Sequence, residues 1–182
     1  SLEKLKLQDS SLQFEPEHSD ALGPGFRCGL LGMLHAEIVS ERLKRDFGLD
    51  LIITSPSVEY RIIKEGGEEI IIRSASKLPD QNTIGKIMEP MVNMEILTPS
   101  RYLGRLMELM PGYRAKYLNA SYLSSETAVL SYNVPLAEII IDFYDKLKSI
   151  SSGFASMSYE FTGFQESDLV KLDILIGGKA VE

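Results

Sequence analysis

A chain of 182 residues with 44% hydrophobic and 25% charged side chains has the composition of a globular protein with one domain or two small ones. Its net charge of −7 argues against binding nucleic acid through bulk charge, although it does not exclude a local basic patch. No stretch approaches the roughly 18 consecutive apolar residues that span a bilayer. The single cysteine, Cys28, cannot form an internal disulfide, so a reducing cytoplasm is the simplest compartment.

Helix and strand signals alternate in the first half of the chain. The leucine spacing at the start is typical of the end of a helix, so we expect a piece of a longer protein. The elements predicted next are a short strand at 12–15, a loop at 16–25, a strand at 26–30, a helix at 34–47, a strand-rich segment at 51–63 and a strand at 69–73. Gly48 ends the helix, and Gly66-Gly67 forms a hairpin turn.

The polar stretch 74–86 predicts a connector, and we place a domain boundary near residue 84. Alternation beyond it predicts a strand at 92–96. Thr98 and Pro99 then predict the N-cap and first residue of a helix. The signals that follow are a helix end at Pro111-Gly112 and strands at 116–123 and 127–134.

The most complete local pattern lies between Ser131 and Ser167. Pro135 suits the first turn of a helix, apolar residues recur at helical spacing to about residue 150, and Gly153 ends the helix. A two-residue period then resumes, which predicts another strand. The second half therefore has the order β-α-β-β-α-β of the ferredoxin-like, or split βαβ, motif.

The first half fits the same motif with its first strand removed. The sequence thus predicts an α+β fold of two ferredoxin-like (split βαβ) sandwiches in tandem, the first truncated at its N-terminus. The first domain spans residues 1–84. The second spans residues 85–182 and carries an extra C-terminal strand that leads to the turn Gly177-Gly178.

No set of side chains indicates catalysis. The glycine-rich run from Gly23 to Gly32 precedes a helix, but its spacing matches neither the dinucleotide motif nor the P-loop, so close strand packing is the simpler interpretation. Cys28 is interpreted as a small buried hydrophobe, and His35 as a packed or capping residue. The residues alone indicate an interaction module rather than an enzyme.

One histidine lies among carboxylates. His18 is in an acidic segment with Glu15, Glu17 and Asp20. One histidine with loop carboxylates is more typical of a solvated turn than of a metal site, so no metal is predicted.

Two groups of basic residues are candidates for contact with nucleic acid. The larger group is Arg101, Arg105, Arg114 and Lys116, and the smaller is Lys146 and Lys148. A solvated helix face explains the same charges, and charge alone favours that interpretation.

Three runs carry a family resemblance: ALGPGFRCGLLGMLHAEIVSERL from Ala21, EPMVNMEILTPSRYLGRLMELM from Glu89, and VPLAEIIIDFYDKLKSISSGFASMSYEFTGFQESDLVKLDILI from Val134. They resemble domain III and domain V of the LepA translational GTPases, also called elongation factor four or back-translocase. The segments GFRCGLLG and FYDKLKS resemble LepA sequences more closely than those of elongation factor G, which has the same two domains. Arg101 departs from the family, which often has a glutamate there.

The resemblance implies a parent protein that hydrolyses GTP on the ribosome and moves tRNAs back by one codon. GTP and Mg²⁺ would bind in a GTPase domain that this chain lacks, so the fragment would be inactive alone. The implied partners are rRNA, ribosomal proteins, the GTPase and β-barrel domains of the same chain, and tRNA through a C-terminal domain. The implied location is the cytoplasm, with peripheral association at the inner face of the cell membrane and no integral membrane segment.

Motif-matched positions in this sequence are expected to be structural: Gly25, Arg27, Gly29, His35, Pro135, Glu138 and Gly153. Two alternatives to ribosome binding remain. One is a stand-alone protein-interaction module that uses its sheet edges, and the other is a sensor that binds a small ligand between its domains.

Overall fold

The computed structural model describes residues 1–19, 23–54, 57–172, 174–177 and 179–181. The chain forms two compact units. The first consists of Ser1–Thr54 with Leu172–Glu182, and the second of Ser55–Lys171. None of the helices in the described part is long and apolar enough to cross a membrane.

The first unit is built on a helix, a hairpin and a second helix. Helix α1 (Leu2–Lys6) precedes strands β1 (Gln13–Ser19) and β2 (Gly23–Gly29), which pair antiparallel, and helix α2 (Met33–Phe47) follows. The predicted loop at 16–25 is therefore wrong, because most of it belongs to this hairpin. The rings of Phe14 and Phe26 meet edge to face across the two strands, with centroids 5.8 Å apart. Cross-strand aromatic pairs of this kind stabilise paired strands. Here the pair supports a hairpin in a segment whose glycines and proline favour a loop.

Helix α2 confirms its prediction within one residue. Val39 and Leu43 are buried on one face of the helix and pack against Leu5 and Leu12. Gly48 ends the helix at φ 63°, in the left-handed conformation that glycine adopts without strain. Its N–H donates to the carbonyl of Lys44 at 2.9 Å.

The strand predicted at 51–63 is largely wrong. Residues 51–54 and 57–59 form no strand, and strand β3 covers only Tyr60–Lys64. It pairs with strand β4 (Glu69–Ile72) and with strand β5 (Ile84–Pro99), so it belongs to the second unit. The predicted turn is confirmed, since the N–H of Gly67 donates to the carbonyl of Lys64 at 2.8 Å.

Six strands form the sheet of the second unit. Strands β6 (Lys116–Tyr122), β7 (Thr127–Pro135) and β8 (Ser156–Glu166) join β3, β4 and β5. The order is β4-β3-β5-β7-β6, and β8 pairs with the other edge of β5. Within it, β6-β7-β5-β8 is the antiparallel order of a ferredoxin-like sandwich, which confirms the predicted fold.

Strand β5 is longer than predicted. It runs for 16 residues, beginning at Ile84 and ending at Pro99. Thr98 is buried in the strand and Pro99 is its last residue, so the predicted helix cap is wrong. A single turn of 3₁₀ helix at Ser100–Tyr102 precedes helix α3 (Leu103–Leu109). Pairing of Thr98 with Ala128 extends the strand past the point where local propensity favours a helix.

The second crossover helix is divided. Helix α4 (Leu136–Ile139) and helix α5 (Phe143–Ile150) replace the single helix predicted to reach residue 150. The backbone of Asp142 (φ −118°, ψ −5°) departs from helical geometry between them. Its carboxylate pairs with Lys146 at 2.7 Å on the first turn of α5. Asp142 is the N-cap residue of α5, without a side-chain capping hydrogen bond, at a point where the apolar spacing alone predicts a continuous helix.

The helices cover one face of the sheet. Core residues come from the two central strands, from the turns around α3, and from α4 and α5: Val92, Met94, Ile96, Leu106, Met110, Tyr113, Leu130, Tyr132, Val134, Ile139, Phe143, Leu147 and Ala155. The alternate residues of β5, including Asn93, Glu95 and Leu97, are exposed on the opposite face. This inside-outside alternation is that of a sheet packed on one side.

The predicted boundary near residue 84 and the domains 1–84 and 85–182 remain a proposal. Strand β5 begins at residue 84, while its partner β3, and β4, which pairs with β3, precede it in the chain. The extra C-terminal strand is predicted in the second domain, whereas strands β9 (Ile174–Ile176) and β10 (Lys179–Val181) form a separate two-stranded sheet that belongs to the first unit. Gly178, predicted for its turn, lies outside the described residues.

Candidate nucleic-acid interface

An arginine and two aromatic rings form a cluster on the surface of the second unit. Tyr102 and Phe154 stack with their ring centroids 6.4 Å apart and an interplanar angle of 19°. The guanidinium carbon of Arg101 lies 4.9 Å from the Tyr102 centroid and 5.2 Å from the Phe154 centroid. We call these three residues the aromatic platform. It brings together the start of α3 and the loop after α5, two segments about fifty residues apart.

The loop beneath Phe154 is held by hydrogen bonds. Gly153 donates its N–H to the carbonyl of Lys148 at 2.7 Å, and Phe154 donates to the carbonyl of Ser151 at 3.0 Å. The ammonium of Lys148 donates to the carbonyls of Gly153 and Ala155, on both sides of Phe154. Gly153 has φ 86°, so glycine fits there without strain. Phe154 is nevertheless 63% exposed, which makes it a fixed, outward-facing ring.

Tyr102 is tied to the same loop. A hydrogen bond with Ser152, and next one with Arg101, lowers the pKa of the Tyr102 phenol. Ser152 itself has φ 53°, a left-handed conformation that non-glycine residues adopt rarely. The hydroxyl, the guanidinium and the two rings therefore form one connected surface.

Arg105 adds a second cation, one turn along α3. Its side chain is exposed, and so is that of Arg101. Within the described part of the chain, no carboxylate lies within 4.0 Å of either guanidinium. Arg101 and Arg105 thus carry two positive charges that no described carboxylate neutralises, in a chain of net charge −7. They provide the kind of local positive patch that contacts phosphate.

Arg114 does not join this patch. It lies at φ 52° after the 3₁₀ turn that follows α3, and it forms a bidentate pair with Glu89 at 2.8 and 2.9 Å. Its Nε also donates to Glu138 at 2.7 Å, and its Nη1 donates to Ser167 at 3.3 Å. The hydrogen bond with Glu89 chiefly raises the pKa of Arg114. These contacts connect β5, α4 and the end of β8, so Arg114 acts within the fold.

The other predicted basic residues are not members of the platform. Lys116 begins β6 and is exposed, but it pairs opposite Asn133, and Asn133 pairs with Asn93. Asn93 precedes the strand end at Pro99 by six residues, about 20 Å of strand. Lys146 pairs with Asp142, and that hydrogen bond raises the pKa of Lys146 to about 12. Lys148 is used in the loop beneath Phe154.

The motif-matched residues occupy structural positions. Gly25 and Gly29 lie in β2, and Arg27 on the same strand pairs with Glu17 across the hairpin. Pro135 ends β7, Glu138 holds Arg114, and Gly153 lies below Phe154. Cys28 is exposed rather than buried, which corrects its interpretation. Its thiol is nevertheless partly buried, and this burial raises the pKa of the thiol.

His18 lies in β1, opposite Pro24, and not in a loop. Asp20, predicted beside it, lies outside the described residues. Among the residues that the structure describes, no group of three or more His, Cys, Asp or Glu side chains could hold a metal ion.

His35 links two turns of the first unit. Its Nδ1 accepts the N–H of Leu31 at 3.0 Å, and its Nε2 lies 2.7 Å from the carboxylate of Asp9. A hydrogen bond from Ser11, followed by the one from His35, lowers the pKa of Asp9 to about 2.

The Asp9 carboxylate predicts a pH dependence of the first unit. Its pKa is about 2 in the fold, against about 3.9 in an unfolded chain. The stabilisation is thus complete above about pH 4 and lost as the pH falls through about 2. We expect hydrogen-exchange protection at Leu43 to fall over that window, and to fall less in Asp9→Asn. Asp50→Asn serves as the control, and equal profiles for wild type and Asp9→Asn would contradict the expectation.

Known proteins align with this chain along its whole length. Residues 86–175 match the family model for the elongation factor G C-terminus. Over 182 residues, elongation factor 4 of Pelodictyon phaeoclathratiforme is 50% identical, that of Chlorobium limicola 51% and that of Bacillus cytotoxicus 48%. The resemblance to the elongation factor 4 (LepA) family is confirmed. The chain spans 30% of the length of these elongation factor 4 relatives.

The fold has a counterpart among solved structures. A crystal structure of a Thermus thermophilus protein aligns with 91% of this chain and 38% of its own, with a TM-score of 0.56 and 16% identity. At that identity the likeness concerns the fold alone. The elongation factor 4 match and this alignment agree on an α+β chain.

Sequence reasoning missed Tyr102 and Phe154. Phe154 follows a helix-ending glycine, where an aromatic residue is easily assigned to the core. Its only sequence signal is its position between Gly153 and the alternating strand that follows, which leaves it outside both periodic patterns.

Proposed function

We propose that this chain is the ribosome-contacting part of a translational GTPase of the elongation factor 4 family. The parent protein would bind ribosomes in a GTP-dependent way and move tRNAs back by one codon. Support comes from the relatives named elongation factor 4, which align over all 182 residues of the chain at 50% and 51% identity. The parent would work in the cytoplasm, with peripheral association at the inner face of the cell membrane.

Catalysis belongs to a part of the parent outside this chain. The sequence contains no G-x-x-x-x-G-K-[ST] run, the motif whose backbone surrounds nucleotide phosphates. GTP and Mg²⁺ would therefore bind in a GTPase domain, and tRNA would be contacted by a C-terminal domain. The two units described here would serve as spacers that transmit the nucleotide state to the ribosome.

The observation that carries the proposal is a pair of exposed arginines, Arg101 and Arg105, with no carboxylate partner among the residues that the structure describes. Guanidinium groups of this kind contact phosphate and position a protein on RNA without selecting its sequence. RNA helices are recognised largely through their shape and backbone, which suits such contacts. Lys116 and the pair Lys146 and Lys148 stay secondary candidates for rRNA contact.

Co-sedimentation with bacterial ribosomes over a salt series tests the proposal. We expect wild-type binding to weaken steeply with salt, and the double variant Arg101→Gln, Arg105→Gln to lower the slope of log K against log salt by about 2. The matched control is Arg45→Gln with Arg73→Gln, which removes the same charge from arginines that are paired with Asp46 and Glu59.

The outcomes separate clearly. A reduced slope in the first double variant and an unchanged slope in the control support contact through the arginine pair. Wild-type chain that fails to pellet at low salt would contradict ribosome binding by this chain. Equal slopes in both double variants would assign binding to total charge and remove the arginine pair from the proposal.

A further inference from the structure

We propose that the aromatic platform of Arg101, Tyr102 and Phe154 stacks an unpaired nucleobase of RNA. The inference rests on the proposed function, and it names the chemical group that this surface takes. Arginines alone account for phosphate contact and not for the exposed rings. The geometry of the rings, the rigidity of their loop and the neighbouring charge each point to a base.

The first argument is the geometry of the rings. Tyr102 and Phe154 are nearly parallel, at 19°, and the Arg101 guanidinium lies within 5.2 Å of both centroids. Aromatic faces and guanidinium planes are the two surfaces on which unstacked RNA bases are held. Phe154 remains 63% exposed, so much of its ring is available.

The second argument is rigidity. The ammonium of Lys148 fixes the carbonyls on both sides of Phe154, and two backbone hydrogen bonds close the loop below it. An exposed phenylalanine gains nothing from burial, and a ring held in place loses little freedom when a ligand stacks on it. This arrangement suits a surface made for contact.

The third argument is charge, which favours RNA over an apolar protein partner. Arg101 and Arg105 lie beside the rings without a paired acid among the described residues. A base that stacks on Phe154 brings its own phosphates within reach of such cations. Single-strand binding sites combine stacking rings and basic residues in this way.

The test uses two leucine variants of exposed rings in the same unit. Phe154→Leu removes the platform ring, and Phe161→Leu removes a ring of comparable exposure on β8 (63% and 55%). Stacking on one base changes affinity by about 5- to 150-fold. We therefore expect Phe154→Leu to weaken ribosome binding at least fivefold at every salt concentration, with the salt slope unchanged, and Phe161→Leu to bind like wild type.

A tryptophan variant identifies the partner chemistry. The chain has no tryptophan, so Phe154→Trp reports from position 154 alone. Titration with deproteinised large-subunit rRNA should quench its emission without a blue shift, because a stacked base quenches indole. Enhanced, blue-shifted emission on ribosomes with no quenching by free rRNA would mean a protein partner and would overturn the inference.

The failures of the two proposals are distinguishable. Salt-sensitive ribosome binding with equal affinity for Phe154→Leu and Phe161→Leu leaves the proposed function and removes the platform. If the wild-type chain does not bind ribosomes, the proposed function falls. Saturable quenching of Phe154→Trp emission by free rRNA would then still support base stacking on the platform. If quenching were also absent, both the proposed function and the platform would be contradicted.

Discussion

Phe143→Ala should destabilise the second unit by about 3–5 kcal/mol, the usual cost of emptying a phenylalanine site in a core. Phe143 is fully buried on the face of α5 that packs on the sheet, and its ring meets Tyr113 edge to face with centroids 4.9 Å apart. The loss is comparable to a large part of the stability of a typical domain. Urea unfolding followed by far-ultraviolet circular dichroism measures it.

A conservative variant at position 143 and a control at position 144 accompany that measurement. Phe143→Leu keeps most of the apolar volume and loses only the ring pair, so we expect about 1–2 kcal/mol. Tyr144→Ala, at the next position, removes a ring that is 45% exposed and should change stability by less than about 0.5 kcal/mol. Equal losses at positions 143 and 144 would show that α5 packs on a different face.

Arg114→Ala should destabilise the second unit by about 2–4 kcal/mol, because it leaves the carboxylate of Glu89 without its partner. The Glu89 side chain is 5% exposed, and both of its oxygens accept from the Arg114 guanidinium. Arg114→Lys keeps the charge but not the two-point geometry, so we expect an intermediate loss. The measurement is again urea unfolding.

A second substitution separates the pair from general packing. Adding Glu89→Gln to Arg114→Ala removes the buried charge, so the double variant should regain part of the lost stability. If Arg114→Ala costs less than about 0.5 kcal/mol, water hydrates Glu89 and the pair is not structural. Arg114→Ala should also leave the salt slope of ribosome binding unchanged, because Arg114 does not join the patch formed by Arg101 and Arg105.

Periodic patterns predict several helices and strands of both units well, and for a physical reason. Alternation in β7 and helical spacing in α2 are produced by burial on one face, which is written directly into the sequence. The end of α2 follows equally from Gly48, whose left-handed backbone strongly favours glycine. Such local rules hold wherever one element buries one face.

Tertiary pairing explains the failures. Thr98 and Pro99 have the local chemistry of a helix start, but partners on β7 keep them in the strand. Pro24 and its neighbouring glycines suggest a loop, yet register with β1 makes a hairpin. The division between α4 and α5 depends on Asp142, whose contacts come from Lys146 and from Tyr113, distant in sequence.

The candidate site was predictable only in part. Charge counting selected Arg101 and Arg105 as candidates, but it also selected Arg114, whose acidic partners are 25 and 24 residues away in sequence. Ion pairs of that separation leave no local signal. Phe154 was missed because its partner in the stack, Tyr102, comes from another element.

Strand β5 has a mechanical consequence for the second unit. Its 16 residues would extend about 50 Å, carrying the β3–β4 hairpin on its first residues and the helix-covered sheet on the rest. No loop separates these two parts of the described strand. A displacement of the hairpin is therefore transmitted directly along the backbone of β5. The bulge between Met91 and Val92, opposite Gly163, lies between the two parts and is where this strand can bend.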